Sequence, residues 1–190
     1  MEKTKIIVIT GVPGTGKTTL SKKLSKVFKN SVLISSNDLS KKKKLYSKKD
    51  FDGAYIINMQ KLKIELIKEI KIAKKKKKSY VIIEGHLLSD IKLPNAKVIV
   101  LRSHLNALEK RLKKRKYSLF KLRENILSEA IDYCGNGAKT NYSEVYELLG
   151  SNNSILNNSI KIINGKKVEK KEYDLLEEFK NKKYQKYLIQ

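Results

Sequence analysis

The chain has 190 residues, 40% of them hydrophobic, which suits one domain with a real core. Its single cysteine, Cys134, excludes a disulfide framework and fits a reducing, intracellular setting. The net charge of +24, from 43 Lys and Arg against 19 Asp and Glu, sets up a field that attracts polyanions, RNA first among them.

The first residues run straight into Lys5–Thr10, a short β-branched run that reads as a buried strand. No signal peptide precedes it, and no apolar run is long enough to span a bilayer. Gly11-Val12-Pro13-Gly14-Thr15-Gly16-Lys17-Thr18 follows and fits G-x-x-x-x-G-K-[ST], the phosphate-binding loop. A triphosphate needs many donors on a tight concave surface, and glycines let backbone N–H groups come close enough to supply them. Lys17 can reach the β- and γ-phosphates, and the Thr18 hydroxyl can sit on Mg²⁺. Leu20, Leu24, Val27 and Phe28 then recur at helical spacing, so a helix N-terminus faces the same anion.

Ser31–Ser35 reads as a second strand, and Asn37-Asp38 could cap a helix. Lys41 to Asp50 is a basic, polar excursion closed by the turn signal Phe51-Asp52-Gly53. A long amphipathic helix carries Met59, Leu62, Leu66, Ile70 and Ala73 and ends in the solvated lysines 74–78. Tyr80–Glu84 and Lys97–Leu101 are strands three and four, with Gly85-His86-Leu87-Leu88-Ser89-Asp90 between them. Leu105, Leu108 and Leu112 mark a helix that runs into the basic turn Lys113–Tyr117, and Leu122, Ile126, Ala130 and Ile131 mark another. Tyr142–Leu149 is the last strand, Leu156, Ile160 and Ile163 belong to a further helix, and the tail, 166–190, reads as a C-terminal helix.

Alternating strands and helices mean an α/β fold with a mostly parallel sheet, whose ligand belongs at the carboxyl ends of the strands. The phosphate loop, Asp38, Glu84-Gly85-His86 and Arg102 are therefore expected to converge on one cleft. Glu84 ends an apolar strand, where a carboxylate can hold Mg²⁺ directly or through water. His86, two residues on, could orient a water or a phosphate oxygen, whereas His104 has no such neighbour. Arg115, among Lys113, Lys114 and Lys116, could close over a transferring phosphoryl group; Arg111 and Arg123 flank it. These three arginines, with Arg102, are all the chain has, so its charge is nearly all lysine. Arginine is preferred for bidentate or stacking recognition, and a lysine excess reads equally as a compositional skew.

The ordered set of segments resembles the adenylate kinase isoenzyme 6 family in its archaeal-like form. That family comprises small nucleoside monophosphate kinases/ATPases linked to small-ribosomal-subunit maturation. The segments include Gly11–Thr19, Asn37-Asp38-Leu39, Val81–Leu87, Val98–Arg102, Glu109-Lys110-Arg111-Leu112, Arg115-Lys116-Tyr117-Ser118 and Asp174–Phe179. The resemblance implies a three-layer P-loop NTPase fold with a five-stranded parallel sheet. It assigns ATP binding to Gly14, Gly16, Lys17, Thr18, Thr19 and Arg115, and catalysis to Lys17, His86 and Arg115. Monophosphate binding falls to segment 34–57, with Asp38 and Gly53, the lid to 114–124, and Mg²⁺ to Thr18 and Glu84. Implied partners are ATP, AMP, a small-subunit ribosomal protein and pre-rRNA. A monomer is implied, cytoplasmic, or nuclear in a eukaryote, with no membrane association. The chain departs from the family in three places: the strand-end acid is commonly aspartate, Lys116 stands at a usual glycine, and Gly150–Asn153 lacks the frequent lysine.

Two activities follow, AMP phosphorylation and a ribosome-assembly ATPase, with another small-molecule kinase as a third. An ionised AMP phosphate needs only positioning and charge neutralisation, while water needs orienting. No Asn-Lys-x-Asp signature points to guanine.

Overall fold

The computed structural model describes residues 4–49, 53, 55–149 and 152–188. The phosphate-loop strand β1 (Lys5–Thr10) lies at the centre of a five-stranded sheet. Its neighbours are β2 (Ser31–Ser35), β5 (Tyr80–Glu84), β6 (Ala96–Leu101) and β7 (Val145–Leu148), in the order β2-β5-β1-β6-β7. Every pairing in it is parallel, as expected. The register sets Ile9 beside Glu84 and Glu84 beside Ser35, so these strand ends share one edge of the sheet.

Side chains of the central strands alternate between two apolar clusters, the period-two signature of a sheet buried on both faces. Ile7, Ile9, Ile82, Ile99 and Leu101 pack against α1 (Lys17–Val27) and α7 (Asn152–Ile163) through Leu20, Leu24, Ile155 and Ile162. Ile6, Val8, Val81, Ile83, Val98 and Val100 face the other way. There they meet α3 (Met59–Lys75), α4 (Leu105–Lys114) and α5 (Leu119–Ala130). The stripe Leu62, Leu66, Ile70, Ala73 read from the sequence is the buried face of α3.

Three regions differ from the sequence reading. After α2 (Ser36–Lys42), the expected polar excursion contains an antiparallel hairpin, β3 (Tyr46–Lys49) with β4 (Tyr55–Ile57). Its strands are mostly exposed and carry no alternation to read; stacking of Tyr46 on Tyr55, ring centroids 4.0 Å apart, helps hold them. The turn residues Phe51 and Asp52 lie outside the described residues, as do Gly150 and Ser151. A helix absent from the sequence reading, α6 (Tyr133–Asn141), follows α5. Gly135, Gly137 and Asn136 lower its propensity. It forms because the Asp132 side chain caps the Gly135 N–H at 3.1 Å and because it packs on the 3₁₀ turn His86–Asp90.

The third difference corrects the expected C-terminal helix over 166–190. Among the described residues this tail has no regular secondary structure up to a four-residue helix, α8 (Leu176–Phe179), and a 3₁₀ turn, Lys182–Tyr187. Its apolar residues do not sustain a helical stripe; they are separate anchors, and Leu175, Tyr184 and Tyr187 are buried in the α3–α5 cluster. No helix among the described residues is long and apolar enough to cross a membrane.

Candidate active site

The phosphate loop bridges β1 and α1 at the carboxyl edge of the sheet. Gly14 holds φ 96, and α4 packs so closely over it that a Cβ would lie 2.9 Å from Leu108 and 3.1 Å from Leu112. Arg111 adds a hydrogen bond from Nη1 to the Gly14 carbonyl at 3.2 Å. The helix that carries Arg111 therefore rests directly on the loop crest.

Lys17 is buried and donates through Nζ to the loop's own carbonyls, Gly11 at 2.8 Å and Val12 at 2.9 Å. Burial lowers its pKa to about 8. The Thr18 hydroxyl donates to Glu84 Oε2 at 3.3 Å. Glu84 is only 5% exposed, so it is not a solvent-facing strand-end charge. These two oxygen donors form the hard set that Mg²⁺ takes beside phosphate oxygens, so the residues fit that ion. His86 opens the 3₁₀ turn after β5; burial and then the Lys17 charge lower its pKa to about 4. Its ring is therefore neutral at physiological pH and has a lone pair that can accept a hydrogen bond.

Gly14, Gly16, Lys17, Thr18, Thr19, Glu84, His86 and Arg115 line one cavity of about 170 Å³. Pro13, Asn37 and Tyr117 complete it, and none of them has a site role in the sequence reading. Asp38 sits exposed in the first turn of α2, its N–H bonded to Ser35 Oγ. Adjacent helical residues point in different directions, and it is Asn37 that faces the cavity. Gly53 is exposed at φ 76 and, like Asp38, is not among the described lining residues.

Arg102 is corrected as well: it does not join the cleft. It is buried at the end of β6, where Nε meets Glu129 Oε1 at 3.0 Å and Nη1 meets Asp132 and Glu147 at 2.7 and 2.8 Å. It ties β6 to α5 and β7. Burial pushes Glu129 up to about 7 against the pull of Arg102. His104 pairs with Glu178 in the tail, outside both cavities.

A second cavity, about 710 Å³, adjoins the first through Pro13, His86 and Tyr117. Tyr55 of the hairpin lines it, as do Asp90, Tyr133 and Cys134, whose thiol burial pushes up to about 11. One face of α5 supplies Lys121, Glu124, Asn125 and Ser128. Their spacing, i, i+3, i+4, i+7, is a polar stripe opposite the apolar one, and it was legible in the sequence. Lys116, at the turn between α4 and α5, holds φ 56, a left-handed conformation that glycine adopts without strain.

Residues 7–132 match the family model described as an AAA domain. A protein from Methanocaldococcus jannaschii named "Putative adenylate kinase" is 37% identical over 91% of this chain and 94% of its own length. One from Methanosarcina mazei with the same name is 34% identical over 88% of this chain and 93% of its own. Among solved structures, shikimate kinase from Bacteroides thetaiotaomicron superposes with TM-score 0.53 at 16% identity, over 84% of this chain and 98% of that one. A sugar kinase from Janibacter sp. HTCC2649 gives 0.59 at 12% identity, over 85% and 95%. At those identities the likeness carries the fold alone.

Proposed function

The chain belongs to the archaeal "Putative adenylate kinase" family, and on that premise we propose that it transfers the γ-phosphoryl group of Mg-ATP to AMP, with tolerance for related monophosphates. One observation carries this reading. Lys17, the Thr18–Glu84 pair and Arg115 line a cavity that shares His86 and Tyr117 with a second one large enough for an acceptor nucleotide. In this reading ATP phosphates occupy the smaller cavity and AMP the larger. Segment 34–57 serves the acceptor through Tyr55 and reaches the phosphate cavity through Asn37, and 114–124 acts as the lid through Arg115, Tyr117 and Lys121.

AMP brings an ionised phosphate oxygen, so the acceptor needs no general base. The protein's part is to align the two phosphates and spread positive charge over the equatorial oxygens from Lys17 and Arg115. Thr18 and Glu84 would hold Mg²⁺, which supplies further neutralisation of phosphate charge when bound.

A second activity, ATP hydrolysis, is favoured by the neutral His86 beside Lys17 and Glu84, which can align a water. The resemblance to the isoenzyme 6 family extends this to small-ribosomal-subunit maturation, with a ribosomal protein and pre-rRNA as partners. The +24 charge supports the RNA part of that reading.

The test is ADP formation from Mg-ATP with and without each monophosphate, on the native chain and on Lys17→Ala and His86→Ala. AMP should stimulate turnover, and Lys17→Ala should abolish it. His86→Ala should cut hydrolysis by about 10²–10⁴-fold and transfer to AMP by less. Undiminished turnover in Lys17→Ala would sink the phosphate-loop reading; equal losses in His86→Ala would assign the histidine to the transferred phosphate instead.

A further inference from the structure

The larger cavity carries more than an acceptor's outline, because a carboxylate bonded to neighbouring hydroxyls lines it. Asp90 ends the 3₁₀ turn that begins at His86. Four residues at about 2 Å rise set it roughly 8 Å from the phosphate end, about the reach from a 5′-phosphate to the edge of its base. Its carboxylate is held in place by two donors. Tyr133 Oη donates to Oδ2 at 3.3 Å, and Ser89 Oγ donates to Oδ1 at 3.4 Å. Gly137 leaves room behind it, where a Cβ would come within 3.0 Å of Oδ1. The Asp90 charge raises the Tyr133 pKa, so the phenol stays protonated and continues to donate.

Each carboxylate oxygen has a second lone pair, so Asp90 keeps acceptor capacity toward the cavity. Asn125, also in the lining, donates one Nδ2 hydrogen to the Lys121 carbonyl at 2.5 Å and keeps its second hydrogen and Oδ1.

We propose that Asp90, positioned by Ser89, Tyr133 and Gly137, is the residue that determines base specificity, by accepting a hydrogen bond from an exocyclic amino group of the acceptor base. The inference rests on the acceptor reading of this cavity given above. Adenine and cytosine carry such a donor; hypoxanthine and uracil place a carbonyl oxygen there instead. A carbonyl facing a carboxylate offers it no hydrogen, is repelled by its charge and is left without a donor of its own, so that pairing is disfavoured.

The experiment measures kcat/KM for AMP against inosine monophosphate, and for CMP against UMP, at saturating Mg-ATP. The native chain should favour the amino-bearing partner by about 10- to 100-fold in each pair, the worth of one hydrogen bond to a charged group. Asp90→Asn offers an amide that can donate to a carbonyl, so its preference should fall to parity or invert. Tyr133→Phe, which removes only a hydroxyl at an exposed ring, should raise KM for AMP with kcat little changed. A melting temperature for each variant identifies any loss of fold. Equal use of both partners by the native chain, or an unchanged ratio in a folded Asp90→Asn, would overturn the role of Asp90 while leaving the kinase reading intact. Failure to phosphorylate any monophosphate would remove both.

Discussion

Lys17 is held by two carbonyls of the loop it serves, in a site dry enough to bring its pKa down from 10.5 to about 8. The sign follows from linkage. Between about pH 8 and 10.5 the unfolded chain keeps a proton on Lys17 that the folded chain has released, so this residue's contribution makes stability rise with pH across that window. A phosphate beside Nζ restores the charged form. At pH 8.5 nucleotide binding should therefore take up roughly three quarters of a proton. Calorimetry in buffers of different ionisation enthalpy measures it, and Lys17→Ala should remove it. Zero uptake by the native chain would mean that the Gly11 and Val12 carbonyls keep the amine charged. The motif identified Lys17 in the sequence, but its tether to the loop and its lowered pKa depend on burial, which no spacing encodes. Asp90 and Tyr133 escaped the sequence reading for a related reason: they meet only where α6, with its low propensity, packs on the 3₁₀ turn.

Among the elements, α4 does the most for the site. Its apolar face packs on Gly14, Arg111 bonds that glycine's carbonyl, and Arg115 caps its C-terminus. The tail holds the same helix from outside. Glu178 accepts from the Leu105 N–H at 2.9 Å, and buried Glu109 gathers Lys113, Lys183, Lys186 and the Tyr187 hydroxyl within 2.7–3.1 Å. Burial alone would raise the Glu109 pKa, but these hydrogen bonds outweigh it and hold the group well below the usual carboxylate range. Tyr187→Phe removes one bond to a charged acceptor and should cost about 1.5 kcal/mol, read as a lower urea midpoint at unchanged slope. An unchanged midpoint would mean that the three lysines satisfy Glu109 by themselves. Helices with a continuous apolar stripe, such as α3, were legible from spacing alone. The tail was not, because its anchors are scattered and its order comes from docking on α4.

At the scale of the whole molecule, alternating apolar runs announced a parallel sheet covered on both faces, and that architecture stands. The assumption that every polar residue at a strand end serves the ligand does not. Arg102 sits at such an end and binds three carboxylates in the interior, and sequence order alone could not distinguish this from a site role. The charge works differently, acting on partners rather than on the fold. Affinity for a single-stranded RNA should fall steeply as salt rises, because a lysine surface binds through counterion release. Fluorescence anisotropy across a salt series reads the slope; tight, sequence-selective binding that survives high salt would point to a dedicated site. The docked tail also has a consequence for timing. A chain is made from its N-terminus, so the sheet, the phosphate loop and α4 have all emerged before residues 175–187 arrive to close the cluster they share. Until then Glu109 lacks Lys183, Lys186 and Tyr187, and the helix that carries Arg111 lacks its contacts to the tail. A nascent chain on the ribosome would thus hold a folded sheet before α4 has gained its contacts to residues 178–187.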